Sequence, residues 1–276
     1  DLARFILKTK AQALLNLKKL LKHSIICDQF TFRKNDWENY KDLVIKKISE
    51  KFERVIIRSS SHKEDTFNKS NAGAFESVLN VHTSDSVKLE KAINKVLDAY
   101  ANPIETDEVL VQPMLKNIIT NGVVMTRCLN TSAPYYVLNY QHSSGSDDIT
   151  SGKGTDIQTT YILKNVNKFS KKNNFIKKII TAVREIERLV DYDSLDIEFA
   201  ITSKGDIYIF QVRPISSNRS STLFDDNSIF SKIKIEQKNF VNLNDNLHDA
   251  KINNLYGVMP DWNPAEILGI RPNRLA

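Results

Sequence analysis

The sequence predicts an α+β fold, in which helices and antiparallel strands occupy separate segments of the chain. Apolar residues at helical spacing make residues 84–101 and 172–190 the clearest helices. From Glu108 onward, short runs rich in β-branched and aromatic residues predict strands. A chain of 276 residues with this pattern is long enough for one large domain or two lobes.

The other elements follow from the same patterns, taken in chain order. Helices are predicted at 11–22 and 36–52, and strands at 54–58, 77–81, 109–115, 122–128, 135–140, 157–163, 195–201 and 206–212. After residue 216 the chain turns polar, which predicts irregular structure. We therefore predict one lobe over 1–105, a second over 106–215, and a linker or following domain over 216–276. We expect the chain to be part of a longer polypeptide.

Composition narrows the classes of partner. Hydrophobic residues make up 41% of the chain and charged residues 26%, as in ordinary globular proteins. No apolar run approaches the roughly 20 residues that span a bilayer, so no membrane partner is expected. The net charge of +6 comes largely from lysines scattered on helix faces. Clustered arginines with interleaved aromatic residues are absent from the sequence, which disfavours a nucleic-acid partner. The alternative, a basic RNA-binding protein, predicts steeply salt-dependent binding to oligonucleotides.

The two cysteines indicate a reducing compartment. Cys27 and Cys128 lie far apart in sequence and have no metal-binding spacing. Free thiols of this kind are typical of the cytosol, so a cytoplasmic location is predicted.

A predicted β-hairpin near residue 200 carries polar side chains on one face. Apolar residues alternate along 195–201 with Asp196 and Glu198, which therefore share the opposite face. On the partner strand, Gln211 and Arg213 lie on one side. The apolar side of that strand is predicted to hold Tyr208, Phe210 and Val212.

The turn of this hairpin sets which residues face each other. A two-residue turn at residues 204–205 would pair Ser203 with Asp206. Glu198 then lies opposite Gln211, and Asp196 lies opposite Arg213. A register shifted by one residue would place the polar side chains against the apolar face, at a desolvation cost.

The four side chains of this face have a shared chemistry. Carboxylate and amide oxygens are the ligands that Mg²⁺ prefers, with phosphates and water completing its shell. An arginine can neutralise a phosphoryl group in transfer. The alternative is a salt-bridge network on a half-exposed sheet surface, and the hairpin by itself does not decide between them.

Four blocks in fixed order resemble the phosphoenolpyruvate synthase and pyruvate phosphate dikinase family. They read Val-Ile-Ile-Arg-Ser-Ser-Ser at 55–61, Ala-Gly-Ala-Phe-Glu-Ser at 72–77, Val-Gln-Pro-Met at 111–114 with Gly-Val-Val-Met-Thr-Arg at 122–127, and Asp-Ile-Glu at 196–198 with Gln-Val-Arg-Pro at 211–214. The resemblance implies a two-lobed ATP-grasp fold, with antiparallel sheets flanked by helices, that binds ATP and Mg²⁺.

The resemblance also implies site residues. Lys10 and Arg58 would contact the phosphates of ATP, and the loop around Gly73 would close over these phosphates. Gln112 and Met114 would lie beside adenine. Glu198 and Gln211 would hold Mg²⁺ with Asp196 in support, and Arg213 would contact the transferred phosphate. Lys10, Arg58 and Arg213 would be the catalytic residues. The chain lacks the family's Gly-rich segment before this lysine, so Lys8 remains an alternative to Lys10.

The reaction implied by the resemblance needs a phosphohistidine that this chain is not expected to supply. ATP would yield AMP and phosphate, and a phosphoryl group would pass through a phosphohistidine to an acceptor. None of the five histidines lies in a Gly-rich Ser-His context, so the phosphohistidine is expected on a swivelling domain elsewhere in the polypeptide. Residues 259–269 resemble a segment of the glutamine kinases of capsule phosphoramidate synthesis, which makes glutamine the first acceptor and pyruvate the second.

A non-catalytic nucleotide-binding regulatory module is the competing interpretation. The altered segment before Lys10 favours it, whereas the complete set of Glu198, Gln211 and Arg213 opposes it.

Overall fold

The computed structural model describes residues 2–61, 76–100, 106–142, 157–167, 169, 174–215 and 225–246. The chain divides into two compact units, Asp1–Leu223 and Phe224–Ala276. The first unit contains two antiparallel sheets and the helices that cover them, which confirms the predicted α+β class. Within the described ranges, every helix is too short or too polar to cross a membrane.

The described part of the first unit contains five helices and nine strands. The helices are α1 (Leu2–Ile6), α2 (Lys10–Lys18), α3 (Lys34–Lys51), α4 (Ser86–Asp98) and α5 (Asn174–Val190). The strands are β1 (Phe30–Arg33), β2 (Arg54–Ser60), β3 (Ser77–His82), β4 (Glu108–Pro113), β5 (Ile118–Met125), β6 (Tyr135–His142), β7 (Gln158–Leu163), β8 (Leu195–Thr202) and β9 (Ile207–Pro214).

A four-stranded sheet in the order β1-β4-β2-β3 packs against α3 and α4. Helix α4 buries Leu89, Ile93 and Val96, which recur at helical spacing on its inner face. Asp85 caps this helix, because its side chain accepts a hydrogen bond of 3.0 Å from the amide of Lys88. The apolar stripe and the cap together fix the helix on the sheet.

A five-stranded sheet in the order β7-β6-β5-β8-β9 forms the second layer. Helices α1, α2 and α5 share its hydrophobic core. In β5, Gly122 lies opposite Tyr140 on one side and Phe199 on the other. A Cβ at Gly122 would lie 2.3 Å from the carbonyl oxygen of Asn139, so only glycine permits this approach of the strands.

Strand β4 lies between the two cores. Val109 and Val111 belong to the core of the four-stranded sheet, Leu110 belongs to the other core, and all three are 0% exposed. Sequence alone placed this strand in the second lobe and the first helices in the first lobe. The division between the sheets therefore does not coincide with the predicted lobe boundary at residues 105 and 106, because β4 pairs with β1 and β2.

Three elements were not predicted from the sequence: α1, β1 and a helix in the second unit. Strand β1 has four residues, too few for an alternating pattern to stand out. In the second unit, residues predicted to be irregular form helix α6 (Asp226–Asn246). Asp225 accepts hydrogen bonds from the amides of Asn227 and Ser228 at 2.8 and 3.0 Å and so caps the helix. Polar residues outnumber apolar ones in this segment, which explains the wrong prediction.

Candidate functional site

The polar face of the hairpin β8–β9 has the predicted register. Glu198 pairs with Gln211, and Asp196 pairs with Arg213. The alternating apolar residues of β8 lie in the core of the five-stranded sheet, so Asp196 and Glu198 face away from it. The period-two pattern therefore identified both the face and the cross-strand partners correctly.

The predicted two-residue turn is wrong. The loop has three residues, 203–205, since the amide of Thr202 donates to the carbonyl of Asp206 at 3.1 Å. Gly205 closes the loop with a φ of +83°, a left-handed conformation that suits glycine. The longer loop alone would shift the register of the hairpin by one residue.

A β-bulge at Phe210 compensates for this shift. Phe199 pairs with Ile209, whereas the preceding Glu198 pairs with Gln211, so Phe210 is the extra residue of β9. The bulge restores the register at the polar face. It also exposes the carbonyl of Phe210 to a partner from another strand.

The bulge changes which side chains of β9 enter the core. Tyr208 and Phe210 were predicted on the apolar side with Val212, and this is wrong for both aromatic residues. Ile207 and Ile209 fill the core instead, together with Val212. The reason is that the extra residue of the bulge reverses which side chains of β9 face the core between the turn and Gln211.

The polar face is largely buried. Asp196 is 9% exposed and Gln211 is 3% exposed, so a solvated salt-bridge network does not describe it. Arg213 binds Asp196 through Nε and Nη2, at 2.7 and 2.6 Å from Oδ2. The other oxygen of Asp196, Oδ1, is buried and has no hydrogen-bond partner among the described residues. A buried oxygen without a partner indicates room for a ligand interaction.

Arg58 joins the two sheets at this face. It lies on β2 of the four-stranded sheet, and its Nη2 is 2.7 Å from Oε2 of Glu198. Its Nη1 donates to the exposed carbonyl of Phe210 at 3.2 Å. The side chains of Arg58 and Glu198 are 13% and 32% exposed, so the pair is partly shielded from water. Arg58 therefore contributes the basic side of a site whose acidic side lies on the other sheet.

Burial and nearby charges shift the pKa values of the two carboxyl groups of the site in opposite directions. Burial favours the neutral form of Glu198, but Arg58, followed by Lys10 and Arg213, outweighs burial and holds the pKa of Glu198 below its ordinary value. Burial raises the pKa of Asp196, against the opposing charge of Arg213. Glu198 is therefore fully ionised at neutral pH.

Lys10, rather than Lys8, lies on the site. Lys10 is 5% exposed at the first residue of α2, and its charge acts on Glu198. Lys8 is exposed and its ammonium lies over the ring of Phe5, 5.1 Å from the centroid. Thr9 caps α2 by accepting from the amide of Gln12 at 3.2 Å, which fixes where the helix starts.

A buried hydrogen-bond chain holds Lys10 beside β2, and sequence reasoning missed it. Ser60 Oγ accepts from the amide of Ala11 at 3.0 Å. The amide of Ser60 donates to Tyr100 Oη at 2.9 Å, and that hydroxyl donates to the carbonyl of Glu108 at 2.6 Å. Ser60 stands in the block that resembled the family, which was a usable signal. Tyr100 gave no signal because it was placed inside the predicted helix 84–101, whereas α4 ends at Asp98.

Gln112 and Met114 of the predicted adenine site differ in their surroundings. Gln112 on β4 is 0% exposed, and neither Oε1 nor Nε2 has a hydrogen-bond partner within the described part of the chain. The backbone amide of Met114 donates to the carbonyl of Arg54 at 2.8 Å, so it is already used within the sheet. Gly73 lies outside the described residues.

The side chains present fit a hard divalent cation. Asp196, Glu198 and Gln211 offer carboxylate and amide oxygens, Glu198 is anionic, and Asp196 Oδ1 lacks a partner. The described residues contain no group of three or more His, Cys, Asp or Glu with metal-binding geometry. Mg²⁺ would therefore depend on phosphate and water oxygens for the rest of its shell. We call Lys10, Arg58, Asp196, Glu198, Gln211 and Arg213 the inter-sheet site.

Comparison with solved structures finds D-alanine-D-alanine ligases among the similar chains. The D-alanine-D-alanine ligase of Coxiella burnetii is 14% identical, with a TM-score of 0.44 over 88% of this chain and 63% of that chain. PH1788 of Pyrococcus horikoshii Ot3 is 13% identical, with a TM-score of 0.47 over 78% and 95%. The chain spans less than two thirds of the length of the D-alanine-D-alanine ligases. At these values the likenesses do not bear on the chemistry of the site.

Comparison with protein families gives a match to part of the chain. No curated protein sequence matches it. Residues 8–105 match the family of the pyruvate phosphate dikinase AMP/ATP-binding domain. The matched span includes Lys10 and Arg58 and ends before β4. Together with the two antiparallel sheets, this match supports an ATP-binding domain of the ATP-grasp type.

Proposed function

We propose that the chain binds ATP with Mg²⁺ at the inter-sheet site and is the ATP-binding module of a phosphotransferase. The observation that carries the proposal is the 2.7 Å contact between Arg58 and Glu198, which brings the cations of one sheet to the metal-ligating oxygens of the other. Phosphoryl transfer depends mainly on positioning and charge neutralisation, and both need these two kinds of group together.

Three cations of the site are proposed to hold the phosphates. Arg58 and Arg213 offer planar guanidinium groups that suit phosphate oxygens, and Lys10 adds a third charge. Asp196 positions Arg213 through its bonds of 2.7 and 2.6 Å, so that the guanidinium is oriented before the nucleotide binds. Mg²⁺, when bound, would neutralise part of the phosphate charge.

Glu198 changes partners in this proposal. In the free chain its Oε2 is bound to Arg58. The phosphates of ATP offer Arg58 a doubly charged alternative, and the carboxylate is then released to bind the metal. Arg58 and Glu198 thereby neutralise each other until phosphate and cation arrive together. We expect Mg²⁺ alone to bind weakly for this reason.

Gln112 is proposed to recognise the adenine base through hydrogen bonds. Its amide oxygen and amide nitrogen are both buried and lack partners within the described residues. The edge of adenine presents an amino donor beside a ring-nitrogen acceptor, which matches a side-chain amide. Met114 would contribute its side chain or carbonyl to the base pocket, because its amide is bound to Arg54. The loop around Gly73 would close over the phosphates.

The full reaction is proposed on the resemblance of the sequence. ATP would be cleaved to AMP and phosphate, and a phosphohistidine on a swivelling domain outside this chain would carry the phosphoryl group. Glutamine is the proposed acceptor, supported by the resemblance of residues 259–269 to glutamine kinases. Pyruvate is the second candidate. Residues 259–269 lie outside the described part of the chain.

Isothermal titration calorimetry of the purified chain with ATP tests the proposal. We expect binding that is tighter with Mg²⁺ than with a chelator present. Glu198→Ala should remove most of the Mg²⁺ dependence and weaken Mg-ATP binding about tenfold or more, because a charge-assisted metal contact is lost. Glu50→Ala is the matched control, since Glu50 is an exposed carboxylate on α3 that forms an ion pair with Lys46 at 3.9 Å.

Two outcomes would overturn the proposal. Failure of the wild-type chain to bind ATP would remove the nucleotide site. ATP binding that ignores both Mg²⁺ and Glu198→Ala would support a non-catalytic regulatory module instead.

A further inference from the structure

A cavity of about 450 Å³ lies away from the inter-sheet site, at the loop end of the hairpin β8–β9. Its walls come from the segment before β1, from the start of α5, and from the loop itself. We call it the basic cavity and define it by Lys22, His23, Ser24, Lys177, Lys178 and Asp206. None of these residues belongs to the proposed ATP site.

The charge of the basic cavity is uncompensated. Lys22, Lys177 and Lys178 line it, and Asp206 is the carboxylate among its lining residues. Within the described ranges, none of the three lysines forms an ion pair. Other lysines of the chain, such as Lys164, do pair with carboxylates. A cluster of like charges around a concave surface favours an anionic ligand.

The position of two lysines strengthens this charge. Helix α5 begins at Asn174 and has no acidic residue in its first turn. Lys177 stands in this first turn, near the positive end of the helix dipole, where carboxylates are normally favoured, and Lys178 follows it directly. An anion in the cavity would relieve this repulsion and interact favourably with the helix terminus at the same time.

The backbone around the cavity is held in place. The buried carboxylate of Glu185 accepts from the amides of Lys22 and His23 at 3.0 to 3.1 Å. Ile25 then pairs with the edge strand β9, because its amide donates to the carbonyl of Ile207 at 2.8 Å and its carbonyl accepts from Ile209 at 2.9 Å. The segment carrying Lys22 is thus fixed to both α5 and β9.

Gly205 allows Lys178 to lie against the hairpin loop. A Cβ at Gly205 would stand 3.3 Å from Nζ of Lys178, so a side chain there would press on the ammonium group. The glycine is required by its φ of +83°, and it also leaves room for the cation at the cavity wall.

Ser24 supplies an independent indication of a ligand. It lines the cavity, is 8% exposed, and its hydroxyl has no hydrogen-bond partner among the described residues. Buried hydroxyl groups normally have a partner, so this donor is available to a ligand.

We propose that the basic cavity binds a phosphate group, either inorganic phosphate or the phosphate of a small monoester. Lys22, Lys177 and Lys178 would neutralise its charge, and the hydroxyl of Ser24 would donate to one oxygen. Asp206 would accept from a protonated phosphate oxygen. The site is separate from the inter-sheet site and does not depend on the function proposed for it.

Residue-resolved NMR of the isotope-labelled chain tests this site, because phosphate can also bind the arginines of the inter-sheet site. Inorganic phosphate and glycerol phosphate are titrated separately at constant ionic strength. We expect saturable shifts of the backbone amides of Ser24, Lys178 and Gly205. Tighter binding of glycerol phosphate than of inorganic phosphate would identify a monoester as the ligand, and the reverse order would identify inorganic phosphate.

Variants separate a built site from general charge attraction. Lys177→Ala and Lys178→Ala should each weaken binding at the basic cavity about fivefold, as expected for the loss of one partly exposed ion pair. Ser24→Ala should weaken it without changing the net charge. Lys91→Ala, an exposed lysine of α4, is the control and should bind as wild type. Equal binding by all variants, or shifts confined to Arg58 and Arg213, would overturn the proposal.

Discussion

Arg58 of β2 and Glu198 of β8 form an ion pair of 2.7 Å that links the four-stranded sheet to the five-stranded sheet. The pair joins a residue expected to contact phosphate with a residue expected to hold Mg²⁺. In the proposed function, phosphate takes the place of Glu198 at Arg58, and the metal takes the place of Arg58 at Glu198. The energetics of the site therefore depend on this exchange, and several predictions concern it directly.

Loss of Arg58 should make the chain a better binder of a divalent cation alone. Arg58→Ala frees Oε2 of Glu198, so we expect Mn²⁺ without nucleotide to bind at least about fivefold more tightly than to wild type, as for release of one ion pair. Electron paramagnetic resonance of free Mn²⁺ measures this directly. ATP should bind the variant more weakly, since a phosphate contact is lost.

Arg54→Ala is the matched control for that experiment. Arg54 lies on the same strand, but its guanidinium bonds to Asn80 at 2.8 Å on the exposed side of the sheet. We expect unchanged Mn²⁺ affinity. Equal affinity of wild type and Arg58→Ala for Mn²⁺ would show that the ion pair does not compete with the metal.

The contribution of Glu198 to stability should depend on pH. Its pKa is lowered in the folded chain, mainly by Arg58 acting against burial. Its contribution is therefore complete above the unfolded value of about 4.3 and is lost as pH falls through the folded value. Asp196, whose pKa is raised, is present in wild type and in Glu198→Gln alike, so to a first approximation its titration cancels in the difference between them.

Urea unfolding of wild type and Glu198→Gln at several pH values measures this contribution. We expect Glu198→Gln to lower the free energy of unfolding at pH 7 by about 1–2 kcal/mol, as for a charged hydrogen bond. The difference should shrink at about pH 3, below the ordinary range of the carboxyl. A difference that is constant or grows toward low pH would contradict the lowered pKa.

Replacing Gln112 with an apolar residue should stabilise the folded chain and weaken nucleotide recognition. Its buried amide has no partner among the described residues, so replacing it with the similarly sized Met should raise the free energy of unfolding by about 1–2 kcal/mol. The same change removes the group proposed to bond adenine. Gln112→Met should therefore bind Mg-ATP more weakly and lose preference for ATP over GTP. A destabilised variant with unchanged nucleotide preference would refute the role.

Gly122 should be intolerant of any side chain. A Cβ would lie 2.3 Å from the carbonyl of Asn139, a backbone atom that cannot move without disturbing β6. Gly122→Ala should lower the free energy of unfolding by about 1–3 kcal/mol, the usual cost of overpacking. Ile119→Ala, at an exposed position on the same strand, should cost about 0.5 kcal/mol or less. Equal effects of both changes would contradict the close approach.

The polar face of the hairpin could be predicted because β-strands have a period of two. Alternation along β8 separated Asp196 and Glu198 from the core, and desolvation excluded the shifted register. The burial of Asp196 and Gln211 could not be predicted in the same way. It depends on the opposite sheet, whose contact through Arg58 joins residues 140 positions apart.

Other features were hidden because their local signals were ambiguous. The pair Lys204 and Gly205 is compatible with a two-residue or a three-residue loop, so the bulge at Phe210 that restores the register had no visible sign. The chain of hydrogen bonds through Ser60 and Tyr100 was also missed, because Tyr100 was placed inside the predicted helix 84–101. The pairing of β4 with β1 and β2 could not be predicted, because strand order cannot be read from sequence spacing.

The most direct test of the central claim is to locate the metal of the nucleotide complex within the chain. Mn²⁺ bound with a non-hydrolysable ATP analogue broadens NMR signals of nearby groups, and Mg²⁺ provides the diamagnetic reference. We predict selective loss of the side-chain amide signals of Gln211 and of the backbone signals of Glu198 and Arg213. Full intensity at Gln211 with losses elsewhere in the chain would contradict a nucleotide-metal site between the two sheets.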